Sequence, residues 1–408
     1  MRCSAAFRHA APLRCHLPAA RRALALRAQS APASLEERLN ALEQKVQTLS
    51  RENAELRDKL GLKKDAPAPV LVKPAGKETS LSVGGFLQAQ AEFGRASDSR
   101  FASGGAAVRD RFYFRRARIF VAGAFAEDFD FKAELDLQGN TLGASTGNLA
   151  RANEVFVNWH RYEAANVRFG QLKPAFGAEA LVADTKTPAI ERTLSNDRLT
   201  DGRQLALGVA GTLLDKQLGY YVTAGNGNGT NVSANDNSKF QRAARVTWSP
   251  ALHKAAGKLT LGANGLWTED VAVAKSDFGF TGNAFTGKRA MSGIDAQWTW
   301  QRLDLGAELL RGTFEPANAA PRAKLHAQGW QATAAFFLVP AKLQGVIRYD
   351  AFDPNTDVGG NTYHTTLFGL NYLIKGDDLR LMVDYLDGHV PGATNDGGRL
   401  LTRLQIVF

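Results

Sequence analysis

The chain has 408 residues, with 50 Lys+Arg against 40 Asp+Glu and only two cysteines, Cys3 and Cys15. No apolar run approaches the ~18 residues that a membrane-spanning helix needs, which excludes a helical membrane protein but not a barrel, whose strands average to a polar sequence. Six arginines and no acid fall in residues 1–28; without them the formal charge drops from +10 to +4, and the argument for a nucleic-acid ligand weakens with it. Beyond Cys15 there is no cysteine for a disulfide or a thiolate metal site.

Residues 1–34, rich in Arg and Ala, read as a targeting segment rather than as fold, with a mis-assigned start or an organellar transit peptide as alternatives. Over 35–62 a heptad follows. Leu35, Leu39, Leu42, Val46, Leu49, Asn53, Leu56 and Leu60 alternate in steps of four and three, the a/d seam of a short coiled coil, with Asn53 at an a position fixing register. The competing reading is one amphipathic helix packed on its own domain. Residues 63–78, with Pro67, Pro69 and Pro74, read as a linker.

The body, 79–408, alternates with period two. Phe129, Phe131, Ala133, Leu135 and Leu137 are interleaved with Asp128, Asp130, Lys132, Glu134 and Asp136; Ile294, Ala296, Trp298 and Trp300 with Asp295, Gln297 and Thr299. Such segments are strands with one apolar and one polar face. Sixteen can be placed between 80 and 408, including 111–125, 257–268 and 289–300. Short turns such as Ala126-Glu127 and Val339-Pro340 alternate with long connections such as 94–110, 173–202 and 269–288. An even strand count with short turns at one end and long loops at the other predicts a sixteen-stranded antiparallel transmembrane β-barrel, preceded by the coiled coil. The chain ends Leu404-Gln405-Ile406-Val407-Phe408, a strand closed by an aromatic residue.

A barrel of this size predicts an aqueous lumen, so function falls to the charges that face it. With Ile119 and Val121 outward, parity turns Arg116 and Arg118 inward and leaves Arg115 on the wrong face unless a bulge re-aims it. Parity also turns Lys132, Arg168, Arg348 and Arg403 inward, together with Glu134, Asp136, Asp295, Glu308 and Asp384, so the wall is mixed in sign. The longest connection, 173–202, carries Lys173, Lys186, Arg192 and Arg198 against Glu179, Asp184, Glu191 and Asp197. Folded inward, it would form a constriction favouring anions; left outside, its charges would keep it soluble.

Several segments resemble the phosphate-selective porin O and P family: Val83 to Ala89, Tyr113-Phe114-Arg115-Arg116-Ala117, Phe131 to Asn140, Val167 to Gln171, Ile190-Glu191-Arg192, Thr366 to Tyr372 and Leu401 to Phe408. The resemblance implies a homotrimeric outer-membrane porin with its third loop in the lumen, passing small anions, phosphate among them. It places a basic pair of the constriction on Arg115 and Arg116. The expected anion-binding and pore-lining set is Arg115, Arg116, Arg118, Lys132, Arg168, Lys173, Lys186 and Arg192. Loop-three lysines that the family uses for tight phosphate binding fall here on Ala180 and, nearly, on Lys186, so a general or weakly selective pore is the alternative. Val46 and Asn53 at a lean towards a two-stranded coil, against the three that a trimer implies.

No HExxH or Gly-rich phosphate loop is present, so no enzyme, cofactor, metal or nucleic-acid ligand is expected. The expected location is the bacterial outer membrane, with its lipid as the surrounding partner. The rival from another class is an envelope tether or adhesin, in which the coil works and the barrel only anchors.

Overall fold

In the computed structural model the described residues are 44, 45, 48, 79–103, 106–138, 150–317 and 324–408. Gln44, Lys45 and Thr48 are helical and exposed. The expected segments 1–34 and 63–78, and the seam positions from Leu35 to Leu60, lie outside the described residues.

All sixteen expected strands form: β1 Thr79–Gly94, β2 Arg111–Phe125, β3 Phe129–Asp136, β4 Arg151–Tyr162, β5 Ala165–Leu172, β6 Gln204–Leu213, β7 Leu218–Gly225, β8 Gln241–Trp248, β9 Lys258–Ala274, β10 Ala284–Trp300, β11 Leu303–Pro316, β12 Leu325–Val339, β13 Leu343–Asp353, β14 Tyr363–Lys375, β15 Leu379–His389 and β16 Gly397–Val407. Each pairs antiparallel with its neighbours in chain order. β1 pairs with β16, from Phe86 opposite Val407 to Gly94 opposite Arg399, and closes the barrel. Closure leaves no strand edge exposed, the condition for spanning lipid. The short turns accept non-glycine residues in the left-handed region, such as Ala126, Glu127, Gln301 and Ala341.

The outward faces form an apolar belt. Ile119, Val155, Val157, Phe169, Val246, Ile294 and Ile347 are each exposed by 43–60%. Such a belt suits a lipid surround rather than water. Among the described residues no helix is long and apolar enough to cross a membrane.

Two expectations are corrected. The connection expected at 269–288 shrinks to 275–283, because β9 and β10 run on; a bulge between Asp270 and Val273 hides their continuation from a strict alternation. The lumen is also not lined by polar groups throughout. Phe176, Leu194, Leu199 and Phe278 from the connections pack on inward Leu266, Phe285, Leu310, Phe314 and Phe352. A second cluster joins Phe101 and Ile190 to inward Val346, Leu367, Met382, Leu386 and Leu401. These inner faces are apolar because residues 95–103, 173–203 and 275–283 of three connections fold inward and cover them. Each buried Leu, Ile or Phe is worth roughly 1.5–3 kcal/mol relative to exposure, so the loops are held as firmly as parts of a soluble core.

Candidate functional site

Loop three, 173–203, crosses the lumen. It leaves β5, forms α1 (Ala178–Leu181), runs against β1, β2, β15 and β16, then forms α2 (Leu194–Leu199) against β11–β13. α1 is fixed by the Glu308 carboxylate of β11, which accepts from the amides of Ala178 and Glu179. α2 is capped by Thr193, whose hydroxyl accepts from the Asn196 amide. Its Ser195 lies over Gly329 of β12, where a Cβ would collide with it. Gly329→Leu is therefore expected to push α2 off the wall into the lumen and lower single-channel conductance; unchanged conductance would show that α2 does not limit the pore.

The opposite wall supplies the arginines. Between Gln88 opposite Arg116 and Ala89 opposite Phe114 the β1–β2 register slips by one residue, and that residue is Arg115. The bulge breaks parity, so Arg115, Arg116 and Arg118 are all buried and turned into the lumen. The alternation rule alone left Arg115 on the lipid side.

Two loop carboxylates meet this wall. Glu191 accepts from Arg115 Nε and Nη2 at 2.9 and 3.1 Å and from Arg403 Nη2 of β16 at 2.6 Å. Asp184 takes Arg118 Nη1 at 2.6 Å, Arg192 Nη1 at 2.6 Å and Arg116 Nη2 at 3.4 Å. Burial raises both acids, but the guanidiniums win: Asp184, beside Arg116, Arg118 and Arg192, and Glu191, beside Arg115 and Arg403, are held well below the ordinary carboxylate range. Around these two acids stand Arg115, Arg116, Arg118, Arg192 and Arg403. Arg118 also meets Asp136 at 2.9 Å.

The loop further ties β1 to β16 from inside. Gln88 Nε2 donates to Asp184 O and to Gln405 Oε1, and Gln405 Nε2 donates to Thr185 O. Arg348 Nη1 donates to Glu191 O at 2.7 Å.

Lys173 stands at the root of loop three, its ammonium donating to the carbonyls of Ala180 and Val182. Burial, with Arg192 next in weight, pushes this lysine down to about 7.

Of the other expected residues, Lys132 adjoins the arginine wall through Glu134, which Arg118 also meets at 3.5 Å, while Lys186 and Arg168 lie apart. Lys186 is exposed and pairs with Asp377 at 2.8 Å in the turn between β14 and β15, away from the arginine wall. Lys132 is shared by Glu134 at 2.7 Å and Glu154 at 3.0 Å. Arg168 stacks on Phe156, 4.2 Å from its ring centroid, and makes no ion pair among the described residues. It lines a cavity of about 580 Å³ with Leu181, Tyr221 and Arg245. Arg100 of the first loop, outside the expected set, is buried between Asp98 and Asp197 and ties that loop to α2. Its neighbours in sequence carry no alternation, so no face could be assigned to it.

A closed sixteen-stranded barrel with an apolar belt, short turns at one end, long loops at the other and a charged loop across the lumen defines an outer-membrane porin. Residues 87–408 match the family described as Phosphate-selective porin O and P, and the chain belongs to that family. Porin O of Pseudomonas aeruginosa is 24% identical over 414 residues, covering 83% of this chain and 90% of the relative. Among solved structures, the outer membrane channel DcaP of Acinetobacter baumannii superposes with a TM-score of 0.59 at 13% identity, covering 83% of this chain and all of that one. The anion-selective porin from Comamonas acidovorans does so with a TM-score of 0.55 at 12% identity, covering 81% and 100%. These structures share the fold. The family and the fold are those of channels.

Proposed function

We propose that the protein is a passive channel for small anions that handles phosphate without a tight site. What supports this is the arrangement around loop three, where five arginines stand about two loop carboxylates. Buried nitrogens of Arg116 (Nε), Arg118 (Nη2), Arg348 (Nε) and Arg403 (Nη1) have no acceptor among the described protein atoms. Such donors favour an anion, because a buried unmade charged hydrogen bond is costly. Tight phosphate binding is disfavoured by the same geometry: Glu191 already holds the Arg115 fork, and Asp184 holds Arg118 and Arg192, so phosphate would have to displace a carboxylate. Arg115, Arg116, Arg118, Arg192 and Lys173 are the anion-facing groups of this reading. Lys132 adjoins them on β3, Arg168 stands on β5, and Lys186 holds the loop tip. The channel performs no covalent chemistry and needs no cofactor. The family resemblance supports a trimer.

The test is the reversal potential across a planar bilayer under a KCl gradient. The expected result is anion selectivity, with added phosphate blocking only at millimolar concentration. Arg116→Glu is expected to lower the anion/cation permeability ratio. Cation selectivity in the unaltered protein would overturn the reading.

A further inference from the structure

A separate arrangement of charge lies on the outer wall. Near the end that bears the long loops, β8–β11 form a groove of about 600 Å³ lined by Lys239, Phe240, Arg242, Trp267, Lys288 and Glu315. The register sets Arg242 opposite Trp267 and Trp267 opposite Ala290; one step nearer the loops, Glu269 faces Lys288. Trp267 and Phe240 are 54% and 56% exposed, facing away from the lumen. Lys239, Arg242 and Lys288 are exposed, and no ion pair occupies their charges among the described residues. Two acids share the groove. Glu315 is bonded by Lys324, which leaves Glu269 against three cations. Towards the membrane the same face continues as Val246, Ile294 and Leu305, all exposed and apolar. At the corresponding level β15 carries Tyr385, Asp387 and His389, so the basic cluster is local to this side.

Unpaired cations above an apolar slope, with an indole at the boundary, match an amphiphile whose anionic head meets the cations and whose chains lie on the belt. Phosphate suits this site better than carboxylate, since it can bridge Arg242 and Lys288 across the strands with several acceptor oxygens. We propose that this groove seats a phosphorylated lipid of the outer leaflet, its phosphate held by Lys239, Arg242 and Lys288 and its chains packed beside Trp267. The proposal rests on the outer-membrane placement and is independent of what the pore conducts.

The experiment uses the full chain in detergent and native mass spectrometry, with phosphorylated lipid A, the same lipid stripped of phosphate, and inorganic phosphate as probes. Phosphorylated lipid A is expected to stay bound through detergent exchange, at least about tenfold more strongly than the stripped lipid. Arg242→Glu with Lys288→Glu is expected to abolish that preference while single-channel conductance is unchanged. Where that reversal hinders assembly, Arg242→Gln with Lys288→Gln is expected to act in the same direction. Equal retention of both lipids, or an unchanged preference in the folded variants, would overturn the proposal. So would full displacement by millimolar inorganic phosphate, which marks a free-anion site, or a variant that loses oligomers rather than lipid, which marks a second copy in the groove. Conductance is read on the same samples, so a failed lipid site and a failed channel remain distinguishable.

Discussion

Asp184→Asn is expected to widen the pore and raise anion selectivity together. The carboxylate is the meeting point of Arg118 and Arg192, each at 2.6 Å, and of Arg116 at 3.4 Å. Removing one partner of a buried ion network costs about 3–5 kcal/mol, because the remaining charges stay desolvated and unpaired. Here that penalty falls on one loop, which can relieve it by leaving the wall. The released arginines then face water and any anion that passes. The pH dependence has a definite sign. The folded protein holds Asp184 far below its ordinary range, so its stabilising contribution is complete above the unfolded carboxylate value of ~3.9 and is lost as pH falls through the folded one. The unaltered channel should therefore keep its loop in place in mild acid, and the asparagine variant should reproduce at neutral pH what strong acid does. Single-channel conductance, reversal potential and limited proteolysis of 173–203 report the change. Unaltered conductance would mean that the apolar contacts of Ile190, Leu194 and Leu199 hold the loop unaided.

The anion/cation permeability ratio should rise as pH falls from 8.5 to 5.5, and Lys173→Met should remove most of that rise. Burial and Arg192 push this lysine down to about 7, Arg203 adding to them and Asp184 and Glu154 opposing. Below 7 the root of loop three gains a positive charge. Between 7 and the unfolded value of ~10.4 the unfolded chain binds a proton that the folded chain does not, so stability rises with pH across that window and is level below 7. Acidification from 8.5 to 7 should therefore lower the unfolding temperature, with no further loss from this group below 7. A ratio as steep in the methionine variant as in the parent would exclude Lys173 as the titrating group.

The barrel was legible because lipid imposes alternation on every strand, and the runs at Phe129–Leu137 and Ile294–Trp300 show it without interruption. Its interior was less so. Phe285, Phe314 and Phe352 are apolar residues facing the lumen, and an alternation rule has no reason to place them there until Phe176 and Phe278 are known to cover them. Arg115 could not be placed by alternation for a different reason: one bulged residue changes face and leaves no mark in composition. Glu191 and Asp184 could be named as loop acids, but Arg403 lies 212 residues from Glu191 along the chain. Pairings at that separation come from closure of the sheet, which sequence spacing does not encode.

The contacts between loop three and the β1–β16 pair bear on how the ring is made. These two strands are the first and last of the ring, so the donors of Gln88, Arg403 and Gln405 share one partner segment only once the ring is closed. Loop three can then settle across them, with Asp184, Thr185 and Glu191 as its three staples. One segment thus narrows the passage and clamps the join of the ring. Changes that pull it free for the sake of a wider pore should also lengthen assembly and make this join the first to reopen on heating.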